Sequence, residues 1–176
     1  MSENKTNNMT TTMEDNQLVI TRTLNAPLEL VYKVWTEAEH LQRWWGPKGF
    51  KINVFKFDLR PGGIFHYNMQ TPDGHTMWGK FVYHEIEKQE KIVWINSFSD
   101  ENGNTVRSPF SSTFPLEIMN TLTFAEQEGK TTITLKGGPI NATEEELQFF
   151  VGMYESMKQG FTGTFDQLAD YLEEVK

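Results

Sequence analysis

The sequence has 176 residues, no cysteine and a net charge of −8, and 13% of its residues are aromatic. The length predicts one domain with a core of its own. The absence of cysteine excludes disulfides, thiolate metal sites and a cysteine nucleophile. The acidic balance argues against nucleic-acid and anionic-membrane surfaces, which need clustered Lys and Arg. The aromatic excess favours a core or a cavity walled by rings.

The first sixteen residues are polar and rich in Asn and Thr. They lack the basic and apolar regions of a signal peptide, and they offer little apolar surface to bury. We therefore expect a disordered tail over 1–16, one domain over 17–176 and a cytoplasmic protein.

Alternation of apolar and polar residues predicts a first strand over 17–24. Two short helices are predicted after it, over 28–36 and 38–44, because Pro27 suits a helix start and apolar residues recur at helical spacing. Turn residues then separate a series of strands, and consecutive hairpins favour an antiparallel sheet of about six strands. The later predicted strands are 51–58, 64–70, 76–86, 91–98, 117–125 and 130–136.

The last predicted element is one long helix from Thr143 to about Glu174. Thr143 and Glu146 fit a capping box, and an apolar stripe follows at steps of three or four residues. Glycines interrupt the stripe at Gly152, Gly160 and Gly163, which indicates close packing or a bend. A sheet must bury one face, and this helix is the element long enough to cover it.

Several motifs along 17–174 recur in the order and spacing of a known family. They are Thr23-Leu24-Asn25-Ala26-Pro27, Leu41-Gln42-Arg43-Trp44-Trp45-Gly46-Pro47, Asp58-Leu59-Arg60-Pro61-Gly62-Gly63, Pro72-Asp73-Gly74, Lys91-Ile92-Val93-Trp94 and Gly160-Phe161. The chain thereby resembles the Aha1-like group (named after the activator of the Hsp90 ATPase) of the START-like, or SRPBCC, superfamily. The resemblance implies an α+β helix-grip fold, related to START and Bet v 1 proteins, with a cavity between the curved sheet and the C-terminal helix. In that superfamily the cavity takes mostly apolar molecules, and some members catalyse cyclisation or dehydration in it.

The aromatic and methionine residues of the strands and the last helix are the candidate lining of such a cavity. A solid core that needs the same residues for packing is the competing interpretation. The candidates are Trp35, Trp44, Phe65, Tyr67, Met69, Trp78, Phe81, Trp94, Met119, Phe150, Tyr154, Met157 and Phe161.

No nucleophile elbow, phosphate loop or metal-ligand spacing occurs, so we predict no catalytic residue, no metal and no cofactor. Glu85 and Glu117 are the carboxylates that could face inward as an acid or base. The sequence favours a domain that binds an apolar or aromatic small molecule, with no nucleic-acid or membrane partner. Two alternatives stay open: a cyclase- or hydrolase-type enzyme, and a chaperone-interacting module with Trp44 or Trp45 as a contact. Both a monomer and a homodimer fit the sequence.

Overall fold

The computed structural model describes residues 9–176. The elements in chain order are β1 (Met9–Glu14), β2 (Gln17–Leu24), α1 (Leu28–Thr36), α2 (Ala38–Trp44), β3 (Lys51–Phe57), β4 (Ile64–Gln70), β5 (Thr76–Glu87), β6 (Lys91–Ser99), β7 (Thr105–Val106), β8 (Ile118–Gln127), β9 (Lys130–Pro139), α3 (Glu144–Gly152) and α4 (Tyr154–Val175). Among these residues, no helix is both long enough and apolar enough to cross a membrane.

One antiparallel sheet contains all the strands, in the order β1-β2-β9-β8-β6-β5-β4-β3, with β7 paired to β6. Strands that follow each other along the chain are mostly joined by hairpins, and β2 pairs with β9, the last strand. The predicted α+β helix-grip fold is confirmed, with nine strands among residues 9–176 in place of about six. Within this sheet, strand alternation sorts side chains to an inner face beneath the helices and an outer face.

The disordered tail predicted over 1–16 is wrong for β1, while residues 1–8 lie outside the described residues. Strand β1 pairs with β2 from Met9 opposite Arg22 to Glu14 opposite Gln17. The turn between them is Asp15-Asn16, with φ of 51° and 64°, the left-handed pair typical of tight hairpins. Composition predicts disorder here, but Met9, Thr11 and Met13 share one half-buried face, the two methionines pack against the core, and β-branched threonines suit a strand.

The single C-terminal helix of the prediction is two helices, α3 and α4, which meet at Met153. The capping box is present: Thr143 Oγ1 accepts from the Glu146 N–H at 3.1 Å, and Glu146 Oε1 accepts from the Thr143 N–H at 2.9 Å. Gly152 is the last residue of α3. A Cβ atom there would meet nothing within 4 Å beyond the helix itself. Of the two roles predicted for the glycines, the bend therefore fits Gly152 and close packing does not.

The C-terminal half of α4 packs with α1 and α2 on one end of the inner face, and that end is a solid core. Trp35 lies at its centre, with ring centroids 4.6 Å from Trp44 and 6.1 Å from Phe165. Arg22 is 1% exposed, and its Nη1 donates to Asp166 Oδ1 of α4 at 3.0 Å. This ion pair, in which Arg22 is buried and Asp166 is half-buried, links α4 to the sheet, since a buried guanidinium needs a charged partner.

Candidate functional site

A pocket of about 330 Å³ lies at the other end of the inner face, beside the solid core. Four parts of the fold enclose it: the inner face of the sheet, the chain just after α2, the α3–α4 pair, and the segment 107–116, which we call the aromatic loop. The lining residues are Leu18, Trp45, Pro47, Tyr67, Met69, Met77, Trp78, Gly79, Trp94, Asn96, Ser97, Phe98, Phe110, Phe114, Pro115, Leu116, Ile118, Asn120, Leu135, Gly137, Phe150, Met157 and Phe161.

The aromatic loop supplies a wall that the sequence did not reveal, because serines and prolines surround its rings. Phe110 and Phe114 each contact Phe98 of β6 edge to face, at 6.2 Å between ring centroids. Phe114 also meets Phe149 of α3 at 6.4 Å. Phe110 remains 74% exposed while bordering the pocket, so it lies at the mouth.

An ion pair at the base of this loop ties it to the start of α3. Arg107 Nη1 pairs with Glu146 Oε2, and Glu146 is also the partner of Thr143 in the capping box of that helix. The hydrogen bond from the Thr143 backbone N–H and, after it, the bond from Arg107 lower the pKa of Glu146 below its ordinary value of 4.5. The carboxylate is therefore charged at neutral pH and links cap and loop.

Polar groups of the pocket stand on the inner face of the sheet, and two glycines make room for them. A Cβ atom on Gly79 would lie 2.9 Å from the Tyr67 hydroxyl, and one on Gly137 would overlap the Asn120 side-chain oxygen. The Tyr67 and Asn120 side chains therefore lie flat over neighbouring strands, where any larger residue would displace them. Asn96 of β6 completes the set.

Burial keeps the Tyr67 hydroxyl neutral. It raises the pKa of Tyr67 above the ordinary value of 10.0, and the Trp45 and Asn96 side chains beside the hydroxyl oppose that rise. The Trp45 indole nitrogen is itself buried and completes no well-formed hydrogen bond to the described residues. The polar end of the pocket thus holds neutral donors and acceptors.

The lining, as far as the described residues show it, contains no Asp, Glu, Lys, Arg or His. Tyr67 is its one titratable side chain. Of the two carboxylates considered from the sequence, Glu85 pairs with Lys91 Nζ at 2.9 Å and is 47% exposed, and Glu117 does not border the pocket. An enzyme in this pocket would have to work without a carboxylate or an imidazole from these residues.

Of the thirteen predicted lining residues, seven border the pocket. They are Tyr67, Met69, Trp78, Trp94, Phe150, Met157 and Phe161. Four others belong to the solid core, each 3% exposed or less: Trp35, Trp44, Phe65 and Phe81. Their prediction as lining is wrong because a pocket and a core place the same demand on a sequence, namely inward apolar residues. Tyr154 is also outside the lining, and its hydroxyl donates to the Thr11 carbonyl of β1 at 2.8 Å.

Strand register places Met119 and the ring of Trp78 on the outer face of the sheet, although Trp78 still borders the pocket. Trp78 pairs with Asn68, so it shares the outer face with His66, and its ring stacks on that imidazole at 5.2 Å. Met119 lies one residue before Asn120, which is the inward residue opposite Trp94. The prediction placed Trp78 and Phe81 on one face, although an odd separation along a strand puts residues on opposite faces.

The adjacent tryptophans at the end of α2 take different positions, although their rings stay in edge-to-face contact with 5.7 Å between centroids. Trp44 ends α2, is 1% exposed, and donates from Nε1 to the Val34 carbonyl at 3.0 Å. Trp45 adopts an extended conformation, with φ of −70° and ψ of 139°, and turns to the pocket. The pocket residue is therefore Trp45, and Trp44 is too buried to serve as the exposed chaperone contact of the alternative hypothesis.

One group of potential metal ligands occurs within residues 9–176: Glu37, Glu39 and His40, at the start of α2. His40 already uses Nδ1 in a 2.6 Å hydrogen bond with the Tyr171 hydroxyl, which joins α2 to α4. The group lies outside the lining, and we assign it a structural role.

Comparison with known families identifies the chain more closely. The family model described as activator of Hsp90 ATPase homolog 1-like protein matches residues 25–173. The chain belongs to this family. That match covers both short helices, the strands from β3 onward and nearly all of α4, as the motifs in the sequence suggested. Among curated proteins, no match was found.

Solved structures with the same fold come from several bacteria. A crystal structure of a Mycobacterium smegmatis protein is 26% identical, with a TM-score of 0.76, and the match covers 93% of this chain and 96% of that one. A solution structure from Staphylococcus epidermidis is 25% identical, with a TM-score of 0.73 and 96% of each chain covered. An Arthrobacter aurescens protein, 23% identical over 94% of this chain and 91% of its own, has a TM-score of 0.78 and shows the shared fold alone.

Proposed function

We propose that the protein binds an apolar small molecule in the pocket between the sheet, the α3–α4 pair and the aromatic loop. The observation that carries the proposal is the lining: rings and methionines surround about 330 Å³, with a few neutral polar groups at one side. Small-molecule sites typically have this volume and this balance of apolar wall and sparse polar groups. Family membership supports the proposal, because the superfamily fold that it implies places apolar ligands in this position.

The physical basis is the exchange of water for an apolar ligand. Methionine side chains such as Met69, Met77 and Met157 are flexible and polarisable, so they can adjust to the shape of a ligand. Each CH₂ group or ring edge removed from water contributes roughly 25 cal/mol per Å² of buried apolar surface. Exposed rings at the mouth, such as Phe110, provide a route by which an apolar molecule enters.

The test is a screen by thermal shift and native mass spectrometry against fatty acids, aromatic polyketides and flavonoids. We expect a subset of neutral aromatic compounds to raise the melting temperature and to bind with one molecule per chain. A filling variant locates the site. Met157→Trp places a large ring in the pocket, and we expect it to weaken binding by about tenfold or more.

Met153→Trp is the matched control, because Met153 is a half-buried methionine four residues earlier and outside the lining. We expect this variant to bind like the wild type. The proposal fails if no compound binds, or if both tryptophan variants weaken binding equally.

A further inference from the structure

A row of uncharged polar side chains crosses the inner face of the sheet inside the pocket. Tyr67 comes from β4, Asn96 from β6 and Asn120 from β8. Asn120 pairs with Trp94, and Asn96 pairs with Ile118, so the two amides are diagonal neighbours on one face of adjacent strands. Diagonal neighbours of this kind lie about 7–8 Å apart, a span that one ring-sized ligand can bridge.

Asn120 is the member of this row that most needs a partner. It is 7% exposed, and no hydrogen bond joins its side-chain amide to another described residue. Its amide borders the pocket and is not sealed in the core, so a ligand in the pocket can supply the hydrogen bonds that the protein does not. Because Gly137 has no Cβ atom, the Asn120 side chain can lie over the neighbouring strand and face the pocket.

The charge of a ligand is the second property that decides whether the pocket can bind it. A carboxylate moved from water into an apolar site needs a cation or several donors to offset its lost hydration. The described lining offers no cation, and Arg107 at the base of the aromatic loop is outside the lining and already paired with Glu146. The pocket can therefore hydrogen-bond a ligand but cannot compensate a charge.

Resting on the proposed function, we propose that the pocket selects uncharged ring compounds whose carbonyl, amide or hydroxyl group hydrogen-bonds to Asn120, with Asn96 and Tyr67 beside it. Ionised fatty acids and aromatic acids are excluded as ligands at neutral pH. The Asn120 amide can donate to a carbonyl oxygen and accept from an N–H or O–H. The Tyr67 hydroxyl offers the same pair of roles, while the apolar wall encloses the ring.

Four naphthalene probes of one shape test the proposal by calorimetry or tryptophan fluorescence. They are 2-naphthamide, methyl 2-naphthyl ketone, 2-naphthoate and 2-isopropylnaphthalene, which carry a neutral donor–acceptor, a neutral acceptor, an anion and a hydrocarbon on the same ring. At neutral pH we expect 2-naphthoate to bind about 100-fold or more weakly than 2-naphthamide. We also expect 2-naphthoate binding to strengthen as the pH falls toward its own pKa, because the neutral acid enters. Tyr67 is the one titratable group of the described lining and stays neutral over that range.

Asn120→Leu removes the amide and keeps the size of the side chain. We expect it to weaken 2-naphthamide about three- to tenfold, as for one lost hydrogen bond, and to leave 2-isopropylnaphthalene unchanged or tighter. Asn53→Leu is the matched control. Asn53 donates to Asn68 at 2.9 Å on the outer face, so its loss should change neither affinity.

Each outcome decides between the two proposals. If 2-naphthoate binds less than tenfold more weakly than 2-naphthamide at neutral pH, or if Asn120→Leu weakens the amide and the hydrocarbon equally, the selection for neutral polar ligands is wrong while apolar binding stands. If none of the four probes binds the wild type but the wider screen finds ligands, the selection for neutral ring compounds is wrong; if the screen is also negative, the proposed function itself fails. If Asn120→Leu does not fold, the affinities of the four probes for the wild type and the pH dependence of 2-naphthoate binding still test the proposal.

Discussion

The two ends of the inner sheet face use the same kinds of residue with opposite results. At one end α1, α2 and the last turns of α4 press Trp35, Trp44 and Phe165 into a core with ring centroids 4.6–6.1 Å apart. At the other end the α3–α4 pair and the aromatic loop enclose Phe98, Phe150 and other rings around open space. Residue type therefore does not decide whether a region is core or pocket. The helices and the loop that cover each end of the sheet decide it.

Phe165 and Phe161, one helical turn apart on α4, give the largest expected contrast. Phe165 is 0% exposed in the core, whereas Phe161 is half-buried and lines the pocket. We expect Phe165→Ala to lower the free energy of unfolding by about 3–5 kcal/mol, because it leaves a cavity in a packed core. Phe161→Ala should cost less than about 2 kcal/mol, since the space beside it is already open.

Urea unfolding of the two variants measures this contrast. Equal losses at the two positions would mean that both ends of the face are packed alike, and the distinction between core and pocket would be wrong.

Gly79 gives the next effect. A Cβ on Gly79 would meet the Tyr67 ring at its Oη, 2.9 Å away, and its Cζ, 3.0 Å away, and a ring cannot fold aside. We expect Gly79→Ala to cost about 1–3 kcal/mol in urea unfolding. Gly137→Ala should cost less, because it meets only the end of the Asn120 side chain, which can turn into the pocket. The reverse ranking would show that the Asn120 side of the pocket is filled.

The aromatic loop should loosen when its ion pair is removed. Arg107→Gln breaks the contact with Glu146, and we expect amide hydrogen exchange over 107–116 to rise about two- to fivefold, the scale of a half-exposed pair. Arg43→Gln is a control, since Arg43 pairs with Glu174 on an unrelated surface at 2.9 Å. Unchanged exchange in Arg107→Gln would mean that the phenylalanines alone hold the loop.

The smallest effect that we expect comes from Glu146, whose charge makes the stability of the fold depend on pH. Its folded-state pKa lies below the ordinary 4.5, so the charged form stabilises the fold above the unfolded-state pKa, and this contribution disappears as the pH falls through the lowered value. Glu146→Gln keeps a cap but lacks the charge. We expect its melting temperature to be below that of the wild type at neutral pH and the gap to close in acid. A gap that persists in acid would assign the effect to the cap.

The order of elements could be predicted from the sequence because each depends on local signals. Turn residues such as Asp73-Gly74 mark hairpins, and the box of Thr143 and Glu146 starts α3. The resemblance of the motifs to a known family predicted how these elements combine into the helix-grip fold. Local signals failed at β1, where two methionines four residues apart were too weak a signal against a polar composition. They also failed at Met153, where one apolar stripe runs across two helices.

The pocket was harder to predict because it depends on tertiary contacts. Strand register puts Met119 and the ring of Trp78 on the outer face, although Trp78 still borders the pocket. Because α2 ends at Trp44, that residue is buried in the core and Trp45 lines the pocket instead. Strict period-two counting from Phe81 would have found the error at Trp78. The loop phenylalanines and the polar row over Gly79 and Gly137 have no periodic signature, so the sequence alone did not reveal them.

Methionine methyl NMR tests the central claim, binding in the pocket, most directly. The chain has 8 methionines, of which Met69, Met77 and Met157 line the pocket, while Met119 lies on the opposite face of the sheet and Met153 outside the lining. Titration with 2-naphthamide should shift the three pocket methyl signals together and leave the Met119 and Met153 signals in place. Shifts at Met119 with none at the three pocket methionines, or no shift at saturating probe, would contradict the account.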